Sequence, residues 1–297
     1  MQRFERLSPW LFVALWSTGF VVARYATNDA SPLTFLAIRM SIAAVILAVL
    51  ARATGAPKIA MPQVRVAAVV GVCMHAVYLG GVFIAIDRGL PSGLGALIAG
   101  LHPVVTAVFG RVLLREQLRP SQWLGVLLGM FGVVAVVIEK LEDGSKSVTT
   151  GALVAMVLSV LGMSAGTLVQ RARGKDMPLL RGTSTQYMGA AFALIIAIPV
   201  IDEASVQFTG QFLLALAWAT LVLSLGAVLI MMRLLASHSA ARVSSLFFLT
   251  PALSALEGAV LFGERLGPLA IVGLVGAAVG VWLTMRERPS VPVDAAA

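Results

Sequence analysis

Residues 114–120 read LREQLRP and residues 262–268 read FGERLGP. Glutamate, leucine and proline keep their places while two arginines become glycine. Aligned without gaps at an offset of 148, the match extends from Leu101–Val133 to Leu249–Val281, with identity at 12 of 33 positions. The shared residues include Pro103/Pro251, Gly110/Gly258, Glu116/Glu264, Pro120/Pro268, Gly125/Gly273 and Gly132/Gly280. Apolar composition alone does not align Pro, Gly and Glu, so the pairing reads as an internal repeat.

The rest of the chain says what is repeated. Of 297 residues, 59% are hydrophobic and 12% charged, with mean hydropathy +0.94, about half the charge of an ordinary soluble domain. The formal charge of +8 comes from Lys and Arg scattered singly between apolar runs, not from a wet basic face, so no nucleic-acid partner is expected. The chain is expected to be an all-α integral membrane protein. A helix needs about 20 apolar residues to cross the hydrocarbon core. Ten such stretches stand between breaks, at about 8–26, 32–52, 65–86, 91–113, 120–138, 150–170, 178–201, 211–234, 239–262 and 268–285. Pro32, Pro91, Pro120, Pro178 and Pro268 fall at first turns, where a missing amide costs nothing. WLFVALWSTGFVVA has no small-residue cleavage site after it and is read as an uncleaved first span. The one cysteine, Cys73, lies in an apolar run and is read as a small hydrophobe.

Five spans per copy is an odd number, so the second copy is expected upside down relative to the first. The expected units are 1–146 (spans 1–5) and 147–297 (spans 6–10, with a short cytoplasmic tail). With the N-terminus inside, sixteen Lys and Arg fall on the inner side and five on the outer, which places both termini in the cytoplasm. The heptapeptide at 114 then faces inward, and the copy at 262 faces outward and loses Arg115 and Arg119 to Gly263 and Gly267. Glu116 and Glu264, near helix N-termini, are read as loop-structuring groups in preference to catalytic ones. Gly125, Gly129 and Gly132 in span 5 and Gly273, Gly276 and Gly280 in span 10 include GxxxG spacing, expected to join these two helices within one molecule in preference to a dimer contact.

ALWSTGFVVARYA (14–26), SPLTFLAIRM (31–40), YLGGVFIAIDRGLPSGLGALIAGLHPVVTAVFG (78–110) and the two E-x-L-x-P turns resemble the drug/metabolite transporter superfamily in its ten-span EamA branch. IAIDRGLPSGLGALIAGLHP and the His and Tyr of span 3 are similar to YddG-type exporters of aromatic amino acids. The resemblance implies two inverted five-helix repeats around a central cavity built mainly by spans 1, 3, 4, 6, 8 and 9, with spans 5 and 10 at the side. It implies a transporter of the bacterial inner membrane that exports small metabolites by alternating access. The alternatives are export of threonine, homoserine or drug-like compounds, and, more distantly, a membrane-embedded lipid-modifying enzyme. No HExxH arrangement is present for the latter, and no enzymatic activity, metal or cofactor is expected.

Transporter sites tend to lie near the midplane at the repeat interface, marked by interrupted helices. Pro103 and Pro251, each about 12 residues into its span, would free the carbonyls of Ala99 and Phe247 and kink both helices beside His102 and Thr250. His75 and Tyr78, three apart, share a face of a regular helix. Polar groups in hydrocarbon turn toward a cavity or a partner, so both are candidate contacts, as is His102; a satisfied core donor is the alternative for each histidine, with lining preferred for His75. Trp16 stands mid-span, away from the interfacial belt, placed for ring stacking. Met163, Ser164, Ser244 and Phe248 complete the candidate substrate-binding set with Ala99, Pro103 and Pro251, and these later residues also fit ordinary packing. Arg39 and Glu257 lie at similar depth in the outer half and are read as structural charges. The expected partners are a small-molecule substrate and the lipid bilayer, with a monomer favoured and a dimer the alternative.

Overall fold

The computed structural model describes residues 2–90, 95, 98–114, 118–142, 149–201, 203–250, 253–254, 257 and 268–285. Glu116, Glu264, Pro91, Pro251, residues 115–117 of the first heptapeptide and 262–267 of the second lie outside these residues. Among the described residues the chain is helical: α1 Gln2–Ala26, α2 Pro32–Ala53, α3 Met61–Asp87, α4 His102–Leu113, α5 Pro120–Glu142, α6 Thr150–Gly174, α7 Leu179–Ile201, α8 Gly210–Ser237, α9 Ala240–Leu249 and α10 Pro268–Met285. An isolated antiparallel bridge, Ala30 with Val206, is the extended pairing found among them. Pro32, Pro120 and Pro268 open their helices as expected, and Pro178 stands one residue before α7.

Six of these segments, Leu7–Ala26, α2, α3, α6, α7 and α8, are long and apolar enough to cross a membrane. Shorter apolar helices lie at His102–Leu113, Ala240–Leu249 and Ile271–Leu283. Burial runs opposite to that of a soluble protein: Leu214, Phe192 and Val200 point outward while Ser17, Thr106, Ser159 and Ser224 are fully enclosed. Lipid accepts the first group and the second needs partners inside the bundle, so the chain is a multi-pass membrane protein.

Helices pair as α1 with α8, α2 with α7, α3 with α6 and α5 with α10. Small residues set the closest approaches. A Cβ on Gly71 would lie 1.9 Å from the carbonyl oxygen of Gln186, so only glycine lets α3 meet α7 there. A Cβ on Gly280 would lie 2.5 Å from the Gly125 carbonyl oxygen, so the expected intramolecular glycine seam between spans 5 and 10 is present.

Among the described residues three helices widen into π turns: Val72–Val77 within α3, Ala219–Ala227 within α8 and Gln170–Gly174 at the end of α6. At the repeat offset of 148, Val72 pairs with Thr220, so the turns in α3 and α8 coincide. Such turns recur at functional sites because they rotate side chains out of helical register.

Candidate functional site

Trp16 sits inside α1, nearly buried, with three rings around it. Tyr78 stacks on it at 6.2 Å and 19°, Phe12 lies at 5.3 Å, and Phe247 meets it edge-on at 5.3 Å and 73°. Phe247 also meets Phe12 at 5.5 Å and the His102 ring at 4.9 Å. Offset and edge-on contacts of this kind are the favoured aromatic geometries. The cluster therefore draws on α1, α3, α4 and α9.

Beside it lies a cavity of about 30 Å³ lined by Trp16, Gly19, Phe20, Arg39, Tyr78, Leu79, Val82, Phe83 and Leu223. That is room for a water molecule and far too little for an amino acid. The rings close the centre of the bundle in this conformation. A second cavity, about 80 Å³, lies at the 170–183 end of the bundle between α6, α7 and α8, lined by Gln170, Lys175, Met177, Thr183, Gln186, Met232 and Arg233 among others.

The candidate residues divide between these features. His102 is enclosed, and its Nδ1 lies 3.0 Å from both the Ser164 hydroxyl of α6 and the Thr106 hydroxyl one turn on. Its Nε2 has no hydrogen-bond partner among the described residues. Ala99 is buried at the end of the segment before the break, and the chain turns at Gly100 and Leu101. Pro103 then occupies the first turn of α4, so the interruption expected in span 4 is a restart of the helix. In span 9 the corresponding irregularity is a 3₁₀ turn at Leu246–Leu249, just before Pro251.

His75 and Tyr78 do not share a face. The π turn at Val72–Val77 alters the angular step between them, so Tyr78 reaches Trp16 while the His75 ring packs 4.6 Å from Tyr187 of α7. Neither His75 nitrogen has a partner among the described residues. Met163 is fully enclosed in the core, and Ser244 is enclosed with no partner for its hydroxyl among the described residues. Phe248 turns away from the cluster: a Cβ on Gly129 of α5 would lie 2.3 Å from its ring, so it seats α9 on α5. Its neighbour Phe247 is the aromatic contributed to the centre.

A polar layer that spacing arguments missed lies alongside. Arg39 Nε donates to the Ser224 hydroxyl at 2.9 Å, and the Tyr187 hydroxyl donates to the Ser224 carbonyl at 2.8 Å. Gln186 Nε2 donates to Gln170 Oε1 at 3.0 Å, and Gln170 donates to the Gly174 carbonyl at 3.1 Å. The signal was present in span 7, where Thr183, Gln186 and Tyr187 recur at helical spacing along one buried stripe. Arg39 and Glu257 do not pair; Glu257 accepts a hydrogen bond from Ser17 instead.

Comparison with known proteins places this arrangement. A solved protein, titled "Crystal structure of protein", superposes with a TM-score of 0.76 over 93% of this chain and 94% of its own, at 19% identity. That likeness concerns the fold alone. The chain is 26% identical to the "Uncharacterized inner membrane transporter YedA" of Escherichia coli (strain K12), over 99% of this chain and 97% of the relative. It is 26% identical to the "Uncharacterized transporter YvbV" of Bacillus subtilis (strain 168), over 89% and 85%. It is 24% identical to a "Probable amino-acid metabolite efflux pump" of E. coli K12, over 99% of each. The EamA-like transporter pattern matches residues 10–138 and again 150–286. The chain belongs to the EamA-like transporter family, and it is a transporter rather than an enzyme.

Proposed function

We propose that the protein exports small metabolites, and aromatic amino acids above all, from the cytoplasm across a bacterial inner membrane by alternating access. The carrying observation is the ring cluster of Phe12, Trp16, Tyr78 and Phe247 at the meeting of α1, α3, α4 and α9. A flat apolar side chain is recognised by such rings, and its polar ends need a few fixed donors nearby, of which His102 and Arg39 are the nearest kinds. The relative named as an amino-acid metabolite efflux pump supports the substrate class, and the one named as an inner membrane transporter supports the location.

The transport cycle follows from two inverted five-helix units, residues 1–146 and 147–297. Three observations support that division: the family pattern matches twice, the helix pairs α1·α8 and α3·α6 exchange under the repeat, and the π turns of α3 and α8 coincide at the offset of 148. Five spans per copy follow from the ten apolar stretches, and cytoplasmic termini from the Lys and Arg bias. Because the central cavity admits only water, substrate passage requires the Trp16, Tyr78 and Phe247 rings to part. The protein acts as a monomer in this reading.

The test is uptake of labelled Phe, Trp, Tyr, Thr and a permeant cation into liposomes containing the purified protein, with and without a pH gradient. Saturable, protein-dependent movement of the aromatic amino acids, lost in Trp16→Ala, is the expected outcome. Movement of Thr or the cation with no aromatic flux would sink the substrate assignment and leave the family assignment in place.

A further inference from the structure

The exporter reading names Arg39 as one donor near the cavity without saying which end of a ligand it meets. Arg39 lies about two turns into α2 and is enclosed, 4% exposed. A charge so placed in a membrane protein is costly, and it normally meets an acidic side chain or a functional ligand. Among the described residues no carboxylate pairs with it. Glu257, the acid at similar depth in the sequence, is taken by Ser17. Among the described residues the Arg39 hydrogen bond is from Nε–H to the Ser224 hydroxyl, and Ser224 is held in turn through its carbonyl by Tyr187.

A guanidinium carries five N–H donors, and its two terminal nitrogens form the fork that grips a carboxylate side by side. Among the described residues Arg39 is the one charged group on the wall of the central cavity, whose other walls include Trp16, Phe20, Tyr78 and Phe83. An aromatic and aliphatic box with a single fixed cation selects for a small molecule having an apolar body and one anionic end. It also disfavours cations, which would meet uncompensated positive charge.

Resting on the exporter reading only for the cavity being the transport site, we propose that Arg39 is the carboxylate-binding group of that site, and that its ligands are small monocarboxylates with an apolar or aromatic body. Ser224, itself held by Tyr187, engages the Nε–H and leaves the two terminal nitrogens for the carboxylate. The ammonium group of an amino acid is then dispensable for binding, whereas the carboxylate is not.

Purified protein in detergent is titrated calorimetrically with three probes of matched body: L-phenylalanine, 3-phenylpropionate, which lacks the amine, and phenethylamine, which lacks the carboxylate. Wild-type protein is expected to bind the first two and to bind phenethylamine at least about tenfold more weakly. Arg39→Gln is expected to weaken 3-phenylpropionate by at least about tenfold, with Arg39→Lys between the two because a lysine keeps the charge and loses the fork. Should Arg39→Gln fail to fold, the wild-type comparison of the two half-molecules still decides. Equal binding of phenethylamine and 3-phenylpropionate, no binding of either carboxylate, or unchanged 3-phenylpropionate binding in folded Arg39→Gln overturns the assignment. Liposome flux separates the two readings. Arg39-dependent binding without phenylalanine export would retire the export of aromatic amino acids and keep the anchor, whereas export undiminished in Arg39→Gln would do the reverse.

Discussion

Ser17 on α1 donates its hydroxyl hydrogen to Oε1 of Glu257, 240 residues further along the chain. The same serine accepts a second bond, at 3.2 Å, from Ser254 through its backbone carbonyl. α1 is thus tied to the segment after the span-9 interruption one residue beyond Trp16. The other Glu257 oxygen is buried with no partner among the described residues, so the acid has little to spare. Ser17→Ala is expected to cost about 1–3 kcal/mol, the usual penalty for leaving a buried acceptor unmet. Glu257→Gln keeps a carbonyl acceptor and should cost less. Thermal unfolding in detergent ranks the two, and a larger drop for Glu257→Gln would contradict the role given to the pair.

The α3–α7 contact makes a sharper demand. Gly71→Val would place a side chain on the Gln186 carbonyl, where a Cβ alone falls at 1.9 Å, and neither backbone can move without parting the helices. A loss of about 3 kcal/mol, or failure to yield monodisperse protein, is expected. Gly210→Ala, with nothing within 4 Å of the added carbon, serves as the control and should be neutral. Fluorescence-detected size exclusion of both variants checks the contrast.

These relationships also mark the limit of what spacing reveals. Hydrophobic run length located α1, α2, α3, α6, α7 and α8 to within a few residues, because lipid demands an unbroken apolar stretch and little else. Trp16 was legible because a mid-span tryptophan is out of place at an interface. The partition of His75 from Tyr78 was not, since it depends on a π turn that no residue pattern announces. The choice of Phe247 over Phe248 was equally hidden: both are apolar and adjacent, and the 3₁₀ turn beneath them decides which faces the centre. Arg39 was visible as a charge, but its pairing with Ser224 is set by how α2 meets α8.

His102 and Ser164 join α4 to α6 across 62 residues at 3.0 Å. Hydrogen bonds between membrane helices couple by about 0.6 kcal/mol on average and up to about 1.7. A double-mutant cycle with His102→Gln and Ser164→Ala, read by thermal unfolding, should fall in that range. Strict additivity of the two single changes would show that the bond contributes nothing.

Phe247 and Phe248 offer the most direct separation of site from scaffold. Both are enclosed, so alanine at either should lower the melting temperature, by an amount corresponding to about 3–5 kcal/mol where the neighbours do not collapse. Their effects on transport should diverge. Phe247 closes two sides of the Trp16 ring cluster and touches His102, so Phe247→Ala removes a wall on which an aromatic substrate would stack and should raise KM severalfold. Phe248 faces Gly129, so Phe248→Ala loosens α9 on α5 and should leave KM for the surviving folded protein near the wild-type value. Liposome uptake normalised to folded protein distinguishes the two. If Phe248→Ala shifts KM while Phe247→Ala shifts stability alone, the substrate contacts lie on the α5 side of α9, and the ring cluster is scaffold.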